Sequence, residues 1–244
     1  MKNRKFQLAI ALLSAIALLP ACTKQGQGTG TLCLQLKAQD DLIDVSTKSS
    51  VSDYTAVPQA SAFTFSVVDS NDDTTPAVAG EPLTLRLGNY TAKAFYGSCL
   101  EEGFDKPCFE GSEAFAITDA NPKTVTVTVK LANCLVKIAT TDAFRNYYSD
   151  YSFTLTTQAG TSIPFVKGET RAAFVDATGF SLSGTLTNQA GKEQSLANVE
   201  FKNLNSASCY TLKIDAQNIG SGTISISFDD SVTDVELGQV DINE

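Results

Sequence analysis

The stretch VTVTVKLANCLVKI, Val125 to Ile138, decides the fold. In its first part Val125, Val127, Val129 and Leu131 share one face, and the threonines and Lys130 share the other. That period of two marks a strand with one side in a core and one in water. After Leu-Ala-Asn at 131–133 the inward parity changes from odd (Leu131) to even (Val136, Ile138). A slip of one residue sends every later side chain to the opposite face, so one strand system ends here and another begins.

The same alternation extends in both directions. Upstream, TLCLQL aligns Leu32, Leu34 and Leu36, LTLRL aligns Leu83, Leu85 and Leu87, and YTAKAFY aligns Tyr90, Ala92, Ala94 and Tyr96; FTFSVVD at 63–69 is a further strand. Downstream, SFTLTT, AAFVD, FSLSGTLT, VEFKNL, YTLKIDA, GTISISF and DVELGQVDI read as strands. TDAFRNYYSDY reads as a helix of one or two turns, capped by Thr141 or Asp142, with Phe144, Tyr147 and Tyr148 facing inward. The long polar segment 39–61 is expected to cross the surface between two sheets, and DSNDDTTP and LGN read as turns. The expected fold is all-β: two tandem Ig-like β-sandwich domains, 30–132 and 133–244, with one continuous sandwich as the rival. NYTAKAF at 89 and CYTLKID at 209 share Tyr-Thr-x-Lys, a faint echo between the halves.

The N-terminus sets the compartment. MKNRK is a basic n-region, FQLAIALLSAIALL is an apolar run of fourteen, and LPAC follows. Leu19, Ala21 and Cys22 match a lipoprotein box, giving a signal peptide at 1–21, acylation (palmitate and related chains) at Cys22, and a flexible tether at 22–29. An ordinary secretory signal cut near Ala21 is the alternative. The run is short for a bilayer span, and no later segment approaches eighteen uninterrupted apolar residues.

The net charge of −9 deepens without residues 1–21, which remove Lys2, Arg4 and Lys5 and leave 15 basic against 27 acidic side chains. Such a polyanion repels nucleic acid. The chain contains no histidine and no tryptophan, so histidine-based triads and metal sites are excluded, while seven tyrosines and fourteen phenylalanines leave sugar stacking open.

Of six cysteines, five remain beside Cys22 in an oxidising compartment. Cys99 and Cys108 enclose LEEGFDKP, with Gly103 and Pro107 suited to a reversal, and are expected to form a disulfide; free thiols or metal ligation are the other readings. Among Cys33, Cys134 and Cys209 one pairing is possible, and Cys134 with Cys209 is preferred.

Asp69, Asn71 and Asp73 place oxygens at the first, third and fifth positions of a calcium loop, but Thr74 stands where the glycine belongs and Gly80 where the glutamate belongs, so a solvated turn is expected. Glu101, Glu102 and Glu110, near Asp105, can be drawn as a glycosidase carboxylate pair, a reading that needs two carboxyls about 5 Å apart in a cleft. Tyr147, Tyr148 and Tyr151 are candidates for stacking on sugar, with core packing at the domain junction as the plainer reading.

LGNYTAKAFYGS, GFDKPCFEGSEAFAI and TVTVTVKLANCLVKIATTDAFRNYYSDYSFTL, with VSTKSS and AFTFSVVD upstream, resemble a domain family of lipoproteins from Bacteroides and its relatives. That family is similar to the fimbrillins. The resemblance runs from about Gly30 to Asn243 and implies two transthyretin-like β-sandwiches exported as a lipoprotein. Polymerising fimbrillins are cleaved after a basic residue near the first strand and donate a hydrophobic C-terminal strand. Here no arginine lies between Cys22 and Arg86, though Lys48 is available, Gly238 interrupts the last alternation, and the chain stops two residues after Ile242. The expectation is a non-enzymatic lipoprotein without cofactor, anchored in the outer membrane through its lipid and facing the cell surface. It would act in adhesion or as an accessory, non-polymerising pilus component, with other surface or pilus subunits as partners. A glycan-binding module of a polysaccharide-uptake system, meeting host or dietary glycans, is the alternative.

Overall fold

The computed structural model describes residues 28–42, 50–218, 223–228, 231–236 and 238–239. Cys22, the signal segment, Lys48 and Ile242 lie outside them. The described chain is all-β with one short α-helix and two 3-10 turns, Val51–Asp53 and Ala60–Ala62. The first half holds β1 (Thr29–Ala38), β2 (Thr64–Asp69), β3 (Thr74–Ala77), β4 (Pro82–Arg86), β5 (Gly88–Tyr96), β6 (Gly103–Phe104), β7 (Phe109–Ile117) and β8 (Lys123–Leu131). The second holds β9 (Cys134–Thr140), α1 (Asp142–Tyr147), β10 (Tyr148–Thr157), β11 (Ser162–Val166), β12 (Ala173–Val175), β13 (Gly179–Asn188), β14 (Glu193–Lys202), β15 (Cys209–Asn218), β16 (Thr223–Phe228), β17 (Ser231–Glu236) and β18 (Gly238–Gln239).

In the first half the ladder runs β3-β2-β5-β7-β8-β1-β4. β7 and β8 pair only at Phe109↔Leu131 and Glu110↔Lys130, after which β8 runs parallel to β1 from Leu32↔Lys123 to Ala38↔Val129. Phe65, Val67, Ala92 and Ala94 from one end of the ladder share a core with Leu32, Leu34, Val125, Val127 and Val129 from the other. The ladder therefore folds over at β7/β8 and encloses its own apolar face. Gly111 sits at that fold: a Cβ there would lie 2.2 Å from the Thr128 carbonyl oxygen, a contact only glycine avoids. β1 and β2 lie toward opposite ends of this ladder, and Val51, in the chain between them, is buried in the same core.

The connectivity then recurs. β11-β10-β13-β14 repeats β3-β2-β5-β7, and β15-β9-β12 repeats β8-β1-β4, including the parallel pair, here β9 with β15 from Cys209↔Leu135 to Ile214↔Thr140. β5 thus corresponds to β13, and β15 to β8. The Tyr-Thr-x-Lys echo between residues 89 and 209 falls on non-equivalent strands, so it is not the trace of this repeat. β16 and β17 extend the β15 edge, while β18 pairs with β14. Of the run read as DVELGQVDI, the described residues fall in two sheets, Asp234 to Glu236 in β17 and Gly238–Gln239 in β18.

Two strands carry a proline in their interior: β3, with Pro76, is too exposed to alternate, and β11, with Pro164, alternates with Ile163 and Phe165 inward. Both are edge strands at equivalent places, where a missing backbone N–H leaves no ladder bond unmade. The helix forms as expected: the Thr141 hydroxyl accepts from the Phe144 amide at 3.1 Å and donates to Asp215, and Phe144 and Tyr148 are buried.

The two cores share a sheet. Cys134, Val136, Ala173, Val175, Tyr210 and Leu212 pack into the second core, whereas Leu135, Phe174 and Cys209, on the opposite face of the same three strands, pack into the first. Burial of a side chain the size of Leu135 or Phe174 contributes roughly 1.5–3 kcal/mol, so the parity change read at 132–136 is also what fastens the halves.

This arrangement corrects the preferred pairing of Cys134 with Cys209. Cys209 is in register with Leu135, one residue beyond Cys134, so the two sulfurs lie on opposite faces of one sheet. Cys134 Sγ donates to the Val175 carbonyl at 3.5 Å, and Cys209 Sγ lies 3.0 Å from Tyr54 Oη, with no bond between the cysteines. Burial pushes the Cys134 thiol up to about 12, which keeps it protonated and unreactive.

Candidate functional site

The loop between Cys99 and Cys108 is closed by a disulfide with Cα atoms 5.2 Å apart. It is not a surface loop of the first half. Its middle, β6, leaves the first half and pairs antiparallel with β12 at Phe104↔Ala173 and Gly103↔Phe174, becoming the edge strand of the second half's sheet. Phe104 meets Phe165 edge-on, with centroids 5.1 Å apart, and the Arg171 guanidinium lies 4.3 Å from the Phe104 ring centre. Arg171 pairs with Glu169 at 2.8 Å and with Asp105 at 3.5 Å. The Arg171 hydrogen bonds, first among them the side-chain pair, hold the Glu169 carboxyl down to about 2.

The carboxylates drawn as a catalytic pair are placed as fasteners. Glu102 accepts from the Asp176 amide at 2.8 Å with one oxygen and from the Thr157 hydroxyl with the other. Glu101 takes Lys106 at 2.6 Å, and that hydrogen bond holds its carboxyl below the usual range. Glu110 lies apart from them on β7, so the four acids do not converge on a cleft. At the base of the loop, Gly97 has φ +76° and would bring a Cβ within 2.3 Å of the Pro107 oxygen, a position that requires glycine. Asn133, only 3% exposed, accepts from the Cys108 amide at 2.8 Å and donates to the Lys106 carbonyl at 3.3 Å, while its own carbonyl accepts from the Ala207 amide. The Asn of Leu-Ala-Asn is thus a buried polar rivet with its needs met.

Asp69, Asn71 and Asp73 form a self-contained turn. Asp69 Oδ1 accepts from the Asn71 and Asp73 amides at 2.8 and 3.0 Å, and these bonds, the Asn71 amide first, hold its carboxyl below the ordinary aspartate range. No group of three or more metal-ligating side chains occurs among the described residues. Tyr148 is buried in the second core, donating to Gln194 at 3.3 Å, and Tyr147 and Tyr151 pack against that core rather than at the junction.

Sequence reading missed the open aromatic. Phe95 is 51% exposed and is the one exposed aromatic ring among the described residues. The available signal was parity: Ala92 and Ala94 point inward on β5, which leaves Phe95 on the solvent side with Lys93. It borders a groove of about 820 Å³ on the outer face of β2, β5 and β7 where β8 leaves β7, lined also by Ser66, Lys93, Glu110, Ser112 and Lys130. Register brings them together through Ser66↔Lys93↔Ser112, Phe95↔Glu110 and Glu110↔Lys130. Lys93, Lys130 and Glu110 close no ion pair among the described residues. A smaller groove of about 380 Å³ beside β9 and β10 has its cations engaged, Lys137 with Tyr54 at 3.3 Å and Arg145 with Asp142 and Thr140.

The model of the DUF4493 family, a domain of unknown function, matches residues 28–243. The chain belongs to that family. No curated protein matches this DUF4493 chain. Among solved structures it is similar to a candidate adhesin of Bacteroides ovatus, at 11% identity and TM-score 0.43 over 88% of this chain and 96% of that one. A candidate polysaccharide-binding protein of Bacteroides thetaiotaomicron matches at 9% identity and TM-score 0.47 over 87% and 99%. A candidate cell adhesion protein of Bacteroides ovatus matches at 9% identity and TM-score 0.44 over 89% and 100%. No helix among the described residues is long and apolar enough to cross a membrane.

Proposed function

We propose that this DUF4493 chain is a non-enzymatic, fimbrillin-like lipoprotein of two tandem transthyretin-like β-sandwich domains, 30–132 and 133–244. In this reading acylated Cys22 anchors it in the outer membrane, facing the cell surface, and it acts in cell adhesion or as an accessory, non-polymerising pilus component. The junction is the observation that carries the reading. A protein that holds a cell to a surface passes load from its contact to its anchor, and here the halves are joined by a disulfide-closed loop, a β-ladder and a shared sheet. Labelling intact cells with an antibody, before and after protease shaving, tests it. Surface exposure of an acylated chain is expected, and a chain resistant to shaving on the periplasmic leaflet removes the adhesion role.

The second reading, a glycan-binding module serving polysaccharide uptake, is favoured by the Phe95 groove. An exposed ring beside hydroxyl, amine and carboxylate groups suits stacking on a sugar with hydrogen bonds to its rim. A glycan array probed with the signal-free chain separates the two readings: saturable sugar binding supports the module, and capture of pilus subunits without sugar supports the accessory role.

A further inference from the structure

The Phe95 groove sets two lysines beside an exposed aromatic ring. The protein carries a net −9, yet Lys93 and Lys130 flank the one exposed aromatic ring among the described residues, and neither closes an ion pair with a described carboxylate. Glu110 is directly opposite Lys130 across the β7/β8 ladder without forming an ion pair with it. An ammonium in a recess that is not locked into an ion pair is free to turn to an incoming anion, and groove walls of low polarisability strengthen that attraction. A ring face needs a flat apolar partner, which the C–H face of a pyranose supplies.

From these groups, and resting on the glycan-binding reading above, the geometry points to an acidic sugar as the occupant: a pyranose carrying a carboxylate, as in a uronic-acid oligosaccharide. Phe95 stacks on one sugar ring. Lys93 and Lys130 receive the carboxylates, and Glu110, Ser66 and Ser112 take hydroxyl groups along the rim. No covalent step is involved. The acidic remainder of the surface disfavours long polyanions that lie across it, so short or chain-terminal acidic sugars are selected over continuous ones.

Isothermal titration calorimetry of the signal-free chain bearing Cys22→Ser tests this. The probes are oligosaccharides of galacturonate, glucuronate and mannuronate beside the matching neutral galactose, glucose and mannose oligomers. At least one acidic series is expected to bind roughly tenfold more tightly than its neutral counterpart, with affinity falling as salt rises. Phe95→Ala should abolish binding, and Lys93→Gln and Lys130→Gln should each weaken it and flatten the salt dependence. Lys137→Gln, in the smaller groove, should leave it unchanged. Phe95, Lys93 and Lys130 are exposed, so unchanged melting temperatures verify that their variants fold, and the same measurement checks the half-buried Lys137 control. Neutral oligomers binding equally well overturn the acidic-sugar assignment while the glycan reading stands. Binding indifferent to Phe95→Ala places the site elsewhere and overturns the inference. No binding to any member of the panel overturns the inference and the glycan reading together.

Discussion

Two acidic turns, DSNDDT at 69–74 and LEEGFDKP at 100–107, look alike in composition and differ in where their carboxylates find partners. In the first, Asp69 is satisfied by amides two and four residues away. In the second, Glu102 reaches Thr157 and Asp176, and Asp105 reaches Arg171. The first is a local device for reversing the chain. The second keeps Glu101 and Lys106 paired within itself but directs Glu102 and Asp105 to the other half of the molecule, and it carries Phe104 with it as an apolar anchor. Charge density alone does not identify a functional loop; what matters is how far along the chain the partners lie.

That contrast breaks first at Phe104. Phe104→Ala removes the ring between Phe165 and Arg171 and is expected to destabilise the chain by about 3 kcal/mol in denaturant titration, the low end for a packed phenylalanine. A loss near zero would mean that β6 is an ornament on the second sheet. Next comes the bridge. Replacing Cys99 and Cys108 together with serine should cost about 2–3 kcal/mol through loop closure alone, and reductant should lower the wild-type melting temperature but not that of the double variant.

Smaller effects sharpen the comparison. Glu102→Ala leaves the Asp176 amide and Thr157 hydroxyl without their acceptor and should cost about 1–2 kcal/mol, measured in the same titrations. Glu169 adds a pH signature. Its folded carboxyl sits at about 2, below the ordinary glutamate value near 4.3, so its stabilising share is full above the unfolded value and is lost as pH falls through the folded one. Melting temperature plotted against pH should therefore drop more steeply for wild type than for Glu169→Gln between about pH 4.3 and 2. Asp69→Asn, in the local turn, should leave unfolding unchanged within error.

Much of the fold was legible in the sequence because half-buried strands announce themselves by alternation. Val125 to Leu131 and Leu32 to Leu36 did so, and the parity change after Leu131 marked where the chain passes from one core to the next. Thr141 and Phe144 announced the helix by cap and spacing. Other features were hidden for physical reasons. Proline obscured β3 and β11, since only edge strands accept it. Gly103 and Phe104 form too short a strand to show a period, and their partner lies about seventy residues downstream. The Tyr-Thr-x-Lys echo misled because strand composition is shared by strands of different rank in the connectivity. The preferred cysteine pairing failed on parity, the same rule that placed the junction. Phe95 was visible in principle as an apolar residue at an outward position, but a single such residue stands out only once its neighbours Lys93, Glu110 and Lys130 are known to face it.

Hydrogen exchange at Gly103, Phe104, Ala173 and Phe174 tests most directly whether the disulfide loop fastens the two halves. In the oxidised protein the ladder amides of β6 and β12 should exchange slowly, and reduction of Cys99 to Cys108 should release them to rapid exchange while the β13/β14 amides stay protected. Rapid exchange at β6 in the oxidised protein, or protection that survives reduction unchanged, would contradict the account.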